Sequence, residues 1–425
     1  MARVRGLLIE GGERLIGEVT ISGAKNAALP AMAASLLLEG KTVLENVPQV
    51  RDIETFKTLL KCLGAKVRWV SKGVLEIDAS ALTDITAPYD LVKAMRASIL
   101  VLGPLLARAG RARVSLPGGC AIGARPIDLH LRGLEQMGAS ITLRHGYIYA
   151  SARKLKGTRI YLDLPTVTGT ENLMMAASRA EGVTVIENAA REPEVEDLAE
   201  LLGKMGVRVE GAGTSVLKIE GVSQLRPAAH RIIPDRIEAG TFMVAAGITR
   251  GNLLLRGCRL DQMEAVVEKL RQSGIEIIPQ DSGIRVVGPT KIRSADVRTL
   301  PYPGFPTDMQ AQFMALMTLA NGLSVITETI FENRFMHVSE LRRMGADIRI
   351  EGSSAIVTGV PSLSGAPVMA TDLRASASLV LAGLAAEGRT TISRIYHLER
   401  GYEALAEKLA SVGAKVQRVE IDEGA

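Results

Sequence analysis

One signature recurs six times along the chain: a helix end, a glycine, and at once the start of a strand. The copies are LLKCLGAKVRW, LEQMGASITL, LGKMGVRVE, LRQSGIEII, LRRMGADIRI and LASVGAKVQRV, and their glycines are Gly64, Gly138, Gly206, Gly274, Gly345 and Gly413. Successive copies lie 68 to 74 residues apart. A glycine there suits the left-handed residue that closes a helix, and the β-branched residues after it favour a strand. A repeat of this length constrains the fold strongly, because each copy is one supersecondary unit that buries its apolar face only against its neighbours.

A second pattern sits between those copies. It is a helix apolar nearly all round, a stop ending in glycine, then a strand: NAALPAMAASLLLEGKTVLENV, AMRASILVLGPLLARAGRARVSL, ENLMMAASRAEGVTVIENA, AGTFMVAAGITRGNLLLRGC, QAQFMALMTLANGLSVITET and ASASLVLAGLAAEGRTTISRI. A helix with no polar face must be surrounded by protein. By contrast, IETFKTLLKCLGA and VEDLAELLGKMGV have clear polar faces. The expected fold is therefore α/β, from six βαβαββ-like repeats with buried inner helices and strands outside. One unit cannot close a core and three can, which predicts two three-repeat domains. The expected division is 22–229 for one domain, and 1–21 with 230–425 for the other, completed by the N-terminal strands. The linker is expected in GVSQLRPAAHRIIPDR, around Pro227 to Pro234.

Composition narrows the function. Aromatics make up only 3% of 425 residues, which argues against stacking platforms for nucleic-acid bases. The formal charge of +5, with no run of five or more like charges, suits an enzyme that gathers small anions. Cys62, Cys120 and Cys258 are odd in number and form no CxxC, so a reducing compartment is expected and a cysteine zinc site is not. The start, MARVRGLLIEGGERL, has only three consecutive apolar residues before Glu10, so no signal peptide is expected. The stretch Ala97 to Ala107 is too short to span a bilayer and contains Pro104. A cytoplasmic protein without membrane or nucleic-acid partners is the expectation. No GxGxxG follows a strand, the GxxxxGK[ST] spacing is absent, and the five histidines form no HExxH, so no cofactor and no metal are expected.

The chemistry concentrates in a few places. Leu116 to Pro126 holds three glycines and two prolines and reads as a loop; it carries Cys120 and, five residues on, Arg125. Two readings stand: a plain surface turn, or a thiol made reactive by a nearby cation. Lys25, Asn26, Arg96, Asp308 and Arg374 lie just ahead of or within the first turns of the apolar helices. Such helix starts present unpaired N–H groups and a partial positive charge, which suit anions. Asp308 is open to two roles, an N-cap or a general base held against apolar residues. Arg374 and Arg400, facing Lys25 and Arg125, would make a four-cation clamp for an anion. His130 lies ten residues after Cys120, as a cysteine–histidine hydrolase would want, but no orienting Asn or Asp is evident.

Six repeats in two domains, together with SGAKNAALP, MRAS, PGGCAIGARPIDLH, FPTDMQAQ, TIFENRFMH, TDLRASASLVLAG and RIYHLERGYE, resemble the enolpyruvyl transferases, from Leu7 to about Arg418. Within that family the motifs are similar to the branch that works on UDP-N-acetylglucosamine. The resemblance implies a two-domain inside-out α/β barrel. It also implies transfer of the enolpyruvyl group of phosphoenolpyruvate to the sugar 3-hydroxyl with release of phosphate, the first committed step of peptidoglycan synthesis. By the same resemblance Cys120 is the proton donor, the residue that holds phosphoenolpyruvate covalently, and the target of fosfomycin. Lys25, Asn26, Arg125, Arg374 and Arg400 would bind phosphoenolpyruvate, with Lys25, Arg400 and the base Asp308 counted as catalytic. Arg96, Arg125, Pro126, Ile127, Asp128, Leu129, Asp308 and Ile330 would bind UDP-N-acetylglucosamine, with Pro165 to Thr168 as a further uridine contact. No cofactor is implied, and downstream cell-wall precursors are implied as a class of regulator. Two other readings are the sister branch acting on shikimate 3-phosphate, which the PGGCAIGARP loop and RIYHLERGYE disfavour, and a non-catalytic nucleotide-sugar binder, which would not need Cys120, Asp308 and Lys25.

Overall fold

The computed structural model describes residues 3–117 and 127–422. They form an α/β protein of two compact units, one made of 23–117 with 127–233 and the other of 3–22 with 234–422. Each unit has its own apolar core.

Six four-stranded sheets share one pattern, three in each unit. In the first, Ala228–Arg231 lies parallel to Lys41–Glu45, which pairs antiparallel with Val74–Asp78, and that strand pairs antiparallel with Lys66–Ser71. Ile16–Thr20, Asn252–Arg256, Gly283–Val287 and Glu276–Gln280 repeat the pattern in the other unit. So do Pro367–Met369, Arg389–Ser393, Arg3–Glu10 and Lys415–Asp422. Side chains alternate as a half-buried strand requires; in Lys41–Glu45, Thr42 and Leu44 are buried while Lys41 and Glu45 are exposed.

In each sheet one edge strand lies parallel to its neighbour while the other pairings are antiparallel. For the sheet of Lys41–Glu45 that strand is Ala228–Arg231, at the far end of the same unit. A cut at 229/230 would therefore divide a paired strand. Among the described residues the chain passes between the units after Ile233 and between Ser22 and Gly23.

The six apolar segments become buried helices, as their lack of a polar face requires. In the first unit Lys25–Ala34, Leu102–Ala109 and Val167–Ala177 are packed together; Leu102–Ala109 is entered through a 3-10 turn, Arg96–Val101. In the second, Arg236–Ile248, Gln310–Met317 and Leu373–Ala385 pack on one another. Every residue from Arg374 to Leu384 is buried. The amphipathic helices behave differently: Arg51–Cys62 buries Asp52, Ile53, Phe56, Leu59 and Leu60 and leaves its other face wet.

The six signature glycines all adopt positive φ, between +91° and +104°. At Gly138 a Cβ would meet nothing within 4 Å, so only the backbone conformation demands glycine there. Gly138→Ala should therefore cost about 1–2 kcal/mol of stability through left-handed strain, read as a lower denaturant midpoint with an unchanged slope. An unaltered midpoint would show that the helix ends some other way.

Candidate active site

In the unit of 23–117 and 127–233, the expected residues collect at helix starts. Lys25 opens the helix Lys25–Ala34 and is buried, which is costly for an ammonium group without a partner. Asp52, in the first turn of Arg51–Cys62, supplies one: its Oδ2 accepts from Lys25 Nζ at 3.0 Å. Asn26, the next residue, is exposed among buried neighbours. Arg96 begins the 3-10 turn Arg96–Val101 and is half-buried. Ile127, Asp128 and Leu129 are half-buried where Asp128–Gln136 starts, and Asp128 pairs with Arg132 one turn on at 3.5 Å. Pro165 is exposed just ahead of Val167–Ala177, and Thr166 Oγ1 caps that helix by accepting from the Gly169 N–H at 3.3 Å.

In the other unit Asp308 is the centre of a charge cluster. It sits in the 3-10 turn Thr307–Met309 that leads into Gln310–Met317. Arg334 Nη2 donates to its Oδ1 at 2.8 Å, and Arg374 donates to its Oδ2 from Nε at 3.1 Å and Nη2 at 3.0 Å. Burial works against the Asp308 charge, but the Arg374 and Arg334 guanidiniums outweigh it and hold the carboxyl far below the usual carboxylate range. The Asp308 side chain keeps 27% of its surface, enough to meet a ligand. Arg374 is almost fully buried; its guanidinium interacts with the Tyr402 side chain, and no acceptor of good hydrogen-bond geometry meets its Nη1. A guanidinium beside a carboxylate that keeps contact with solvent offers an anion a charge-assisted partner.

Two further groups fix this geometry. Buried Glu328 accepts from Thr299 Oγ1 at 2.8 Å, Thr307 Oγ1 at 2.8 Å and the Ile330 N–H at 2.7 Å, tying the Ile330 segment to the turn that carries Asp308. Tyr402 lies with its ring 5.3 Å from the Arg374 guanidinium, and its hydroxyl meets Thr241 Oγ1 at 2.9 Å and Gln312 Nε2 at 3.2 Å. Arg400 is half-buried at the end of the turn Leu398–Arg400, two residues before Tyr402.

Of the expected residues, the structure joins Asp308 to Arg374 directly. Cys120, Arg125 and Pro126 lie outside the described residues. Asp52, Arg334 and Glu328 were not anticipated. Arg334 stands inside TIFENRFMH, so the motif pointed to it without assigning it a role. Asp52 and Glu328 left no signal beyond being single acids in ordinary elements. Among the described residues no group of three or more His, Cys, Asp or Glu is placed to hold a metal ion, and no helix is long and apolar enough to cross a membrane.

Residues 9–409 match the family described as EPSP synthase (3-phosphoshikimate 1-carboxyvinyltransferase). A protein of Thermodesulfovibrio yellowstonii named UDP-N-acetylglucosamine 1-carboxyvinyltransferase is 60% identical over 414 residues, covering 97% of this chain and 99% of its own. One of the same name from Desulfatibacillum aliphaticivorans is 61% identical over 413 residues, with the same coverage. The crystal structure of the enolpyruvyl transferase NikO from Streptomyces tendae superposes with a TM-score of 0.89 at 26% identity, over 99% of this chain and 100% of that one. EPSP synthase from Acinetobacter baumannii shares the fold, with a TM-score of 0.76 at 20% identity over 98% of this chain and 100% of that one. With the family match spanning most of the chain and near-full-length relatives at about three residues in five, the chain belongs to the EPSP synthase (3-phosphoshikimate 1-carboxyvinyltransferase) family of enolpyruvyl transferases.

Proposed function

We propose that this protein transfers the enolpyruvyl group of phosphoenolpyruvate to the 3-hydroxyl of UDP-N-acetylglucosamine, releasing phosphate, as the first committed step of peptidoglycan synthesis in the cytoplasm. The observation that carries the reading is the near-full-length likeness to proteins of that name, joined to a partly exposed carboxylate held by two guanidiniums. The two units are proposed as the two three-repeat domains of an inside-out α/β barrel, supported by six sheets of one pattern and six buried helices.

The chemistry divides among named residues. Lys25, Asn26, Arg125, Arg374 and Arg400 take phosphoenolpyruvate; Arg96, Arg125 to Leu129, Asp308 and Ile330 take the nucleotide sugar. Cys120 gives a proton to the methylene carbon of phosphoenolpyruvate, which leaves cationic character on the neighbouring carbon. The sugar 3-hydroxyl attacks that carbon while Asp308 accepts its proton. Loss of phosphate and of a proton from the new methyl group then restores the double bond.

The pairing of Asp308 also bears on its strength as a base. Two guanidiniums make its conjugate acid too strong to hold a hydroxyl proton well. An anionic substrate that draws Arg374 onto itself restores basicity to Asp308, so the base is switched on by the substrate it serves. This account asks for oriented cations and exclusion of water, the usual requirements for stabilising developing charge.

Phosphate release should need both phosphoenolpyruvate and UDP-N-acetylglucosamine. Release with shikimate 3-phosphate in place of the nucleotide sugar would move the chain to the sister branch. Cys120→Ser should lower the rate at least a hundredfold, in line with loss of general acid catalysis worth about 10²–10⁴. Fosfomycin should add one adduct at Cys120 by peptide mass spectrometry; an adduct at Cys62 or Cys258 instead, or an unchanged rate in Cys120→Ser, would remove the thiol from the mechanism.

A further inference from the structure

His130 is the third residue of Asp128–Gln136 and is only 1% exposed. It touches no reacting group assigned above, yet every polar atom of its ring is engaged. Asn172, on the buried helix Val167–Ala177, lies 3.2 Å from His130 Nδ1 through its Nδ2. The same Asn172 side chain accepts from the Gly103 N–H at 2.6 Å through Oδ1 and donates to the Ile99 carbonyl at 3.0 Å through Nδ2. Those two backbone partners fix which end of the amide is nitrogen, so the second Nδ2 hydrogen points at the imidazole. His130 Nδ1 must then accept, and the ring proton sits on Nε2. That nitrogen lies 3.4 Å from Thr168 Oγ1, so it donates to the hydroxyl and leaves the hydroxyl hydrogen free to point elsewhere.

Burial, with Arg96 nearby, pushes the His130 pKa down to about 3. The ring is therefore neutral across the working range, and the relay keeps one direction: amide to Nδ1, Nε2 to hydroxyl. The residue that orients this histidine, Asn172, is 42 positions away in the chain, so no local pattern marks it. The three elements it ties together are the ones that carry Arg96, Ile127 to Leu129, and Pro165 to Thr168. These are the segments assigned to the nucleotide sugar.

We propose that His130 is a positioning residue for the nucleotide-sugar subsite: held by Asn172, it presents the Thr168 hydroxyl as a hydrogen-bond donor to a carbonyl or diphosphate oxygen of the ligand. It locks the three binding segments in one register. The proposal rests on the nucleotide-sugar reading and adds to it a residue that acts without touching the ligand.

The test is steady-state kinetics on the full chain, varying each substrate separately. His130→Leu removes the relay; His130→Gln carries an amide N–H that reaches the place of Nε2. His130→Leu should raise the KM for UDP-N-acetylglucosamine about tenfold or more while kcat and the KM for phosphoenolpyruvate stay within about twofold, and His130→Gln should recover most of the loss. Thr168→Val should raise the same KM, and the double variant His130→Leu/Thr168→Val should be no worse than the poorer single one, because both break one relay. If His130→Leu does not fold, His130→Gln and Thr168→Val decide the matter: Thr168→Val with an unchanged KM for the nucleotide sugar overturns the proposal. Losses shared equally by kcat and both KM values, or additive losses in the double variant, overturn it too. An unsubstituted protein that fails to turn over UDP-N-acetylglucosamine would refute the proposed reaction instead, a separate outcome from an active protein indifferent to His130.

Discussion

A helix with no polar face can present chemistry only at its ends. Each unit of this protein is built around three such helices, and burial of their sides leaves their first turns as the places where charge is tolerable. Lys25, Arg96, Asp308 and Arg374 all stand there. The helix starts add unpaired N–H groups and a favourable dipole for anions. In each unit, then, packing of the helix sides leaves the charged residues at the helix starts.

Charge at those places still has to be compensated when no ligand is bound. Lys25 leans on Asp52, and Arg374 and Arg334 share Asp308. Each pairing offsets the cost of burying a cation, and under the proposed reaction it is also what an incoming anion must compete with. At Asp308 the competition has a chemical consequence, since the same contacts that satisfy the arginines suppress the basicity of the carboxylate. Tyr402 and Glu328 hold the two arms of that cluster from behind.

The parts of the fold governed by local rules were legible in the sequence. Six glycines foretold six positive φ angles, and six helices apolar nearly all round were foretold as buried, because each depends on residues within one or two turns. The partners that fix those charged and polar groups within each unit were not legible. Asp52 reaches Lys25 across 27 positions, Arg334 reaches Asp308 across 26, and Asn172 reaches His130 across 42. No periodicity links such pairs; only folding brings them together. The pairing of Ala228–Arg231 was not legible for the same reason, since it is claimed by Lys41–Glu45, a partner far away in the chain.

The central claim is an addition followed by an elimination at the enolpyruvyl group, driven by a donated proton. Running the reaction in D₂O and analysing the product by mass spectrometry and proton NMR tests it directly. A proton added at the methylene carbon makes a methyl group that then loses a hydrogen, so the enolpyruvyl ether of UDP-N-acetylglucosamine should carry deuterium in its vinyl position. A product formed without deuterium there, or a nucleotide sugar that gains no enolpyruvyl group at all, would contradict the account.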